Sequence, residues 1–199
     1  MQMEDRTKIM FAETLEEMLR ETSLSQIRVT KLCERCGATP PTFYYYFHDK
    51  YELVAWIYLK DVVSGTSIPS TDYTPELLDN MNKQIESRKL FYQKAFDDSS
   101  QNSIEKYIID FNLQIADDAY ANVSHGRTMS FEQFTELRYH QYGVLGLFRE
   151  WLFGTGNITS MQMSEFLFTK TPDFMKTAYS RYQYSAKKIL GMAGRKSSS

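Results

Sequence analysis

Apolar residues return every three or four positions along almost the whole chain, the spacing of helices that bury one face. Over 4–21, Phe11, Ala12, Leu15, Met18 and Leu19 share a face, and Glu13, Glu16, Glu17, Arg20 and Glu21 fill the other. The pattern breaks at 23–26. A short helix is predicted over 29–36 with Val29, Leu32, Cys33 and Cys36 inward, stopped by Gly37, which suits the left-handed position after a helix. Thr39 reads as an N-cap with Pro40 at the first helical position, and this helix runs to about 46. His48 and Asp49 interrupt again, Asp49 as a cap, and a fourth helix over 50–64 is marked by Leu53, Val54, Ile57 and Asp61.

Residues 65–75 are Gly, Pro, Ser and Thr without a period and read as a linker. Beyond it, helices are predicted over 75–97, 103–122, 130–153, 161–168 and 172–190. Ser130 and Gln133 open the third of these with a capping-box pattern. Gly143 and Gly146 inside it each cost about 1 kcal/mol relative to alanine. Close helix packing would offset that cost, with internal packing favoured over a dimer seam; the seam itself is expected from the last two long helices. The small, polar, basic stretch 193–199 is expected to be disordered. The expected architecture is all-α. A three-helix head and its connecting helix occupy 1–64, a linker 65–75, a helical regulatory and dimerisation region 76–192, and a tail 193–199.

Composition narrows the class. Of 199 residues, 42% are hydrophobic and 24% charged, which excludes wholesale disorder. Aromatics at 15% supply bulk for a core and for a cavity wall. A net charge of −2 excludes a basic nucleic-acid coat, so any DNA contact has to come from a local patch. Cys33 and Cys36 form a C-x-x-C without the further ligands of a zinc site, and both stand at small inward positions, so they are expected in the core. No basic flank precedes an apolar stretch at the start, and no run approaches the ~20 apolar residues of a membrane helix. A reduced, cytoplasmic location is expected. No nucleophile–base pair or phosphate-cradling glycine loop is visible, so neither an enzyme, a cofactor nor a metal is expected.

Two short helices joined by a glycine turn suggest a helix-turn-helix whose second helix enters the major groove. In that helix Phe43 and Phe47 share the inward face, leaving Thr42, Tyr44, Tyr45 and Tyr46 for the others. Hydroxyls there can donate to phosphate, and rings can pack on thymine methyls. Lys50 and the backbone N–H groups at the next helix start suit a phosphate. His48 is a further phosphate candidate. Arg28, Lys31, Arg35 and Lys50 outnumber Glu34 and Asp49 only modestly, so few phosphate contacts are expected, each adding about −0.9 to the salt slope.

The stretch Leu32-Cys-Glu-Arg-Cys-Gly-Ala-Thr-Pro-Pro-Thr-Phe-Tyr-Tyr-Tyr-Phe-His-Asp-Lys-Tyr-Glu-Leu53 resembles the TetR family signature of a small residue, Thr-Phe-Tyr, an aromatic–Phe pair and Lys-x-x-Leu. The resemblance covers roughly 4–60. It implies a DNA-binding head on double-stranded DNA, a dimerising helical region and a small-molecule inducer pocket. Thr39, Thr42, Tyr44, Tyr46 and Lys50 stand at positions similar to the family's DNA contacts, and Tyr45 at a variable, base-reading one. The stretch 142–152 resembles the subgroup related to dihydroxyacetone-kinase activators, which implies a protein coregulator as another control. Three departures stand out. Arg28 replaces the capping Thr of the second helix, Pro40-Pro41 replaces a pair that often reads a base, and no glycine follows the first helix near Ser23. They leave open a protein that regulates chiefly through another protein. Tyr92, Phe96, Tyr107, Phe111, Tyr139 and Tyr142, with Phe91, either line an inducer pocket or build core.

Overall fold

The computed structural model describes residues 3–66, 72–97 and 104–193. Among them the fold is all-α, with no strand. The order is α1 (Met3–Glu21), a 3-10 turn (Leu24–Gln26), α2 (Val29–Cys36), α3 (Pro40–Tyr46), α4 (Lys50–Gly65), α5 (Pro75–Glu86), α6 (Lys89–Phe96), α7 (Ile104–Val123), α8 (Phe131–Phe153), α9 (Ser160–Lys170), α10 (Asp173–Arg181) and α11 (Ala186–Leu190). No described helix is long and apolar enough to cross a membrane.

Helix starts follow their caps. Thr39 accepts from the Thr42 N–H, Asp49 from those of Tyr51 and Glu52, and Thr74 from that of Leu77. Ser130 and Gln133 close the expected capping box, and Thr159 with Gln162 forms a second one. Two helices expected to be continuous are broken. The first splits at Ser87–Arg88, where Arg88 leaves the helix with φ −119°. Its guanidinium then reaches Asp61 of α4 at 2.7 Å and Glu16 of α1. The second splits after Arg181, and Ser185 caps the short α11. This break turns the end of the chain back onto α4.

α4 is the axis of the fold. It packs on α1, α5, α7 and α11. Every residue from Tyr51 to Ile57 is buried, so this helix has no solvent face along two turns. Its last residue, Gly65, lies so close to α5 that a Cβ there would meet the Asn80 carbonyl and Met81 Cα at 2.8 Å. One core cluster runs from Phe11 of α1 through Phe43 and Trp56 to Phe148 and Ile189. The head and the later helices therefore share a core; of the linker expected at 65–75, 67–71 lie outside the described residues. A second cluster joins Ala116 and Ala119 of α7 to Leu137, Met175 and Tyr179. Cys33 is buried in the first cluster and Cys36 half-buried at its edge, both as free thiols.

The tail begins later than expected. Ala193 is buried, and its carbonyl accepts from Lys8 Nζ of α1 at 3.2 Å. Residues 194–199 lie outside the described residues.

Removing Arg88 strands Asp61, whose carboxylate is almost fully enclosed. Arg88→Met is expected to destabilise the fold by about 3 kcal/mol or more, the cost of orphaning one half of a buried ion pair. Lys31→Ala, at the exposed Lys31–Glu34 pair, is expected to change stability by less than about 0.5 kcal/mol. Urea unfolding of the two variants beside the parent checks both.

Candidate functional site

The turn between α2 and α3 is set by Gly37, at φ +68°. An L side chain there is strained, so glycine takes the position. The Ala38 N–H returns to the Cys33 carbonyl at 2.9 Å and ties the turn to α2. α3 is then held by two aromatic anchors. Phe43 meets Phe11 edge-on at 5.2 Å, and Phe47 packs against Trp56 at 6.1 Å. With these rings inward, the helix turns hydroxyls and rings outward. Tyr45 is 64% exposed and Tyr44 50%. Tyr46 is half-buried with its ring edge-on to Tyr45, and the Thr39 and Thr42 hydroxyls hydrogen bond at 2.9 Å. His48 is exposed just beyond the helix.

The cations around this surface are mostly committed. Lys31 pairs with Glu34 at 2.7 Å. Arg35 turns toward α1, to Glu21 at 2.7 Å and Glu17 at 3.7 Å, and its hydrogen bond and charge hold the Glu21 carboxyl below its ordinary value. Lys50, expected on a phosphate, donates to three backbone carbonyls, those of Leu24 (2.7 Å), Ser25 (3.0 Å) and Ile27 (2.9 Å). It closes the loop between α1 and α2, where no glycine turn is available. Arg28 sits at the N-cap of α2 without a capping bond and is exposed, with no ion pair among the described residues.

A cavity of about 190 Å³ lies among α4, α5, α7, α8 and the chain leading into α11. Val62, Met81, Ile108, Ile115, Val144 and Leu145 supply much of its apolar wall. Its polar groups are neutral. Gln141 is buried and accepts from Asn112 at 3.2 Å, and Asn82 donates to Ser164 at 3.0 Å. Burial pushes the Tyr58 hydroxyl up to about 12. The His140 imidazole is held below its ordinary value by burial and by the nearby charge of Lys176.

None of the six aromatics expected in a pocket lines this cavity. Tyr92 is buried with its hydroxyl on Asp61, and Phe96 packs against Phe148 at 5.6 Å. Tyr107 is a strut: its hydroxyl donates to Asp49, the cap of α4, at 3.1 Å. Burial, then the Asp49 charge, raises its pKa well above the ordinary value. Phe111 is core beside it, while Tyr139 and Tyr142 are 81% and 51% exposed. An aromatic stripe at helical spacing thus went to core and surface. The aliphatic positions of α5, α7 and α8, together with Gln141, would have been the better signal.

The outer face of α8 carries Phe131, Tyr139, Tyr142 and Gly146 at helical spacing, all exposed. Nothing lies within 4 Å of a Cβ built on Gly143 or Gly146, so the internal close packing expected of them is not what they serve.

The chain matches no protein-family model, and no curated protein is detectably similar to it.

The two roles of α3 and Lys50 separate in stability. Lys50→Met is expected to cost about 2–3 kcal/mol, because a cation hydrogen-bonded to carbonyls is lost and the carbonyls are left short of a donor. Tyr45→Ala is expected to stay within about 0.5 kcal/mol of the parent, as for an exposed side chain. Thermal and urea melts of the two variants read the difference.

Proposed function

We propose that the chain is a TetR-like transcriptional regulator. In this reading it acts in the cytoplasm as a homodimer on a pseudo-palindromic operator, controlled by a small ligand or a protein partner. The observation that carries the reading is the outer face of α3. A seven-residue helix is pinned by Phe43 and Phe47 and projected by the Gly37 turn, and it turns Thr39, Thr42, Tyr44 and Tyr45 to solvent. Exposed rings on a helix held from behind suit a surface kept for a ligand. Base edges, thymine methyls and phosphates are the partners such side chains fit.

Control follows from linkage. Tyr58 and Val62 on α4 wall the cavity, while Asp49 and Lys50 at the other end of α4 hold the ground beside α3. A ligand that prefers one setting of α4 shifts DNA affinity by its differential affinity for the two settings. In this reading the dimer partner meets the outer face of α8, where exposed aromatics precede two glycines with open space above them. Binding of such a dimer to adjacent half-sites requires its two α3 helices to stand about 34–36 Å apart, one turn of DNA.

A second reading has its own support. Lys31, Arg35 and Lys50 are all engaged within the chain, so the phosphate-binding charge is low. A regulator that works mainly by binding another regulator or sensor, with weak DNA binding, fits that observation.

Selection from a random duplex-DNA pool at near-physiological salt decides between the two. A palindrome enriched by the parent and lost in Tyr45→Ala is expected. No enrichment from a folded dimer favours the protein-directed reading. The α8 assignment predicts that Gly146→Leu lowers the molar mass toward the monomer in sedimentation equilibrium while helicity is kept, since leucine is the better helix former by about 1 kcal/mol. An unchanged dimer mass would sink the assignment.

A further inference from the structure

The cavity contains an unusual imbalance: it has many hydrogen-bonding groups and no charge. No Asp, Glu, Lys or Arg lines it, yet Tyr58, Asn82, Asn112, His140, Gln141 and Tyr184 do. Several of these groups have bonding capacity left over. Gln141 spends its carbonyl oxygen on Asn112, and its amide N–H groups donate to nothing among the described residues. The Tyr58 and Tyr184 hydroxyls likewise have no hydrogen-bond partner among the described residues. Gln141 is itself more than nine-tenths buried and lines the cavity. Val144 and Leu145, one turn along α8 from Gln141, and Ile108 and Ile115 of α7 line the same cavity.

We infer that this cavity binds a neutral, mainly apolar small molecule that carries one hydroxyl or carbonyl oxygen, which is held by Gln141. An ionised ligand would be stripped of water with no opposite charge to receive it, and that cost excludes it. A purely hydrocarbon ligand would leave the Gln141 donors unpaired. The volume sets the size. An apolar protein cavity of about 150 Å³ holds benzene, so about 190 Å³ takes a substituted ring or a short branched chain. Burial and the charge of Lys176 hold the His140 imidazole below its ordinary value, in line with a charge-free site. The inference rests on the regulator reading only in making this molecule the effector; the binding itself is a property of the free protein.

A matched series tests the class. Benzyl alcohol, benzoate, benzylammonium and toluene share one ring and differ in charge and in the oxygen. Each is titrated into the full chain without DNA at pH 7, and methyl NMR shifts of Met81, Ile108 and Ile115 locate the binding. Benzyl alcohol is expected to shift these methyls and to bind at least tenfold tighter than either ion. Gln141→Leu is expected to weaken benzyl alcohol about tenfold, to the level of toluene, and to leave toluene no weaker. Val144→Phe, which fills the cavity, is expected to abolish binding of both with helicity retained. An ion binding as tightly as benzyl alcohol overturns the inference, as does a series that leaves these methyls unshifted. Equal losses of toluene and benzyl alcohol in Gln141→Leu would overturn the role of Gln141. Because no DNA is present, failure here leaves the duplex selection untouched, and failure of that selection leaves this titration standing.

Discussion

α4 has no solvent face between Tyr51 and Ile57, and that single demand shapes the chain around it. A helix with apolar residues on every side has to be enclosed, since each exposed large side chain would forfeit roughly 1.5–3 kcal/mol of burial. α1 covers one side, α5 and α7 others, and the end of the chain returns as α11 to close the rest. Gly65 allows α5 to lie against the last turn, because any side chain there would strike the α5 backbone. The break at Arg88 belongs to the same enclosure. Asp61 is a carboxylate on a buried helix, and its charge is tolerable only with Arg88 and the Tyr92 hydroxyl upon it. Head and body thus share one core around a wrapped helix.

That continuity decides how a cavity can speak to a surface. Tyr58 and Val62 border the cavity, and two residues before Tyr58 the same helix is buried against Phe47 through Trp56. Tyr107 of α7 holds Asp49, the cap at the start of α4, while Ile108 beside it walls the cavity. Under the proposed control by a ligand, a change in how α7 and α4 sit would reach the ground under α3 through these packed contacts. No flexible connection has to carry it.

Much of the fold was legible because its signals are local. Caps at Thr39, Asp49 and Ser130 and the left-handed Gly37 depend on neighbours a few residues away, and all stand where the pattern put them. The breaks at Arg88 and after Arg181 were not legible. Each is imposed by a partner distant in sequence, Asp61 for one and α4 for the other, and helical periodicity continues across both. The roles of charges were hidden for the same reason. Lys50 looks like a phosphate ligand in sequence, and only the folded loop at 24–27 reveals three carbonyls around it. The pocket aromatics failed differently. Periodicity identifies an inward face but not whether that face meets solid core or empty space, so Phe96 and Phe111 were indistinguishable from wall residues.

The glycines of α8 show the converse, a surface whose meaning emerges only when the core is known. Leu137, Gln141, Phe148 and Leu152 already bury the inner face of that helix. Gly143 and Gly146 lie outside it, where a side chain would be free to stand and would favour the helix. A stability cost retained at two places with open space above them is not explained by anything within one chain. Tyr139 and Tyr142, exposed just before that gap, make the same point with the opposite sign, since large rings are kept where burial within the chain does not reward them. Both anomalies disappear together if a second α8 lies across the first, its backbone close at the glycines and the rings closing around it. The small residues and the large ones then serve one contact, and the helix with the most bulk left uncovered is also the one that shares a wall with the cavity.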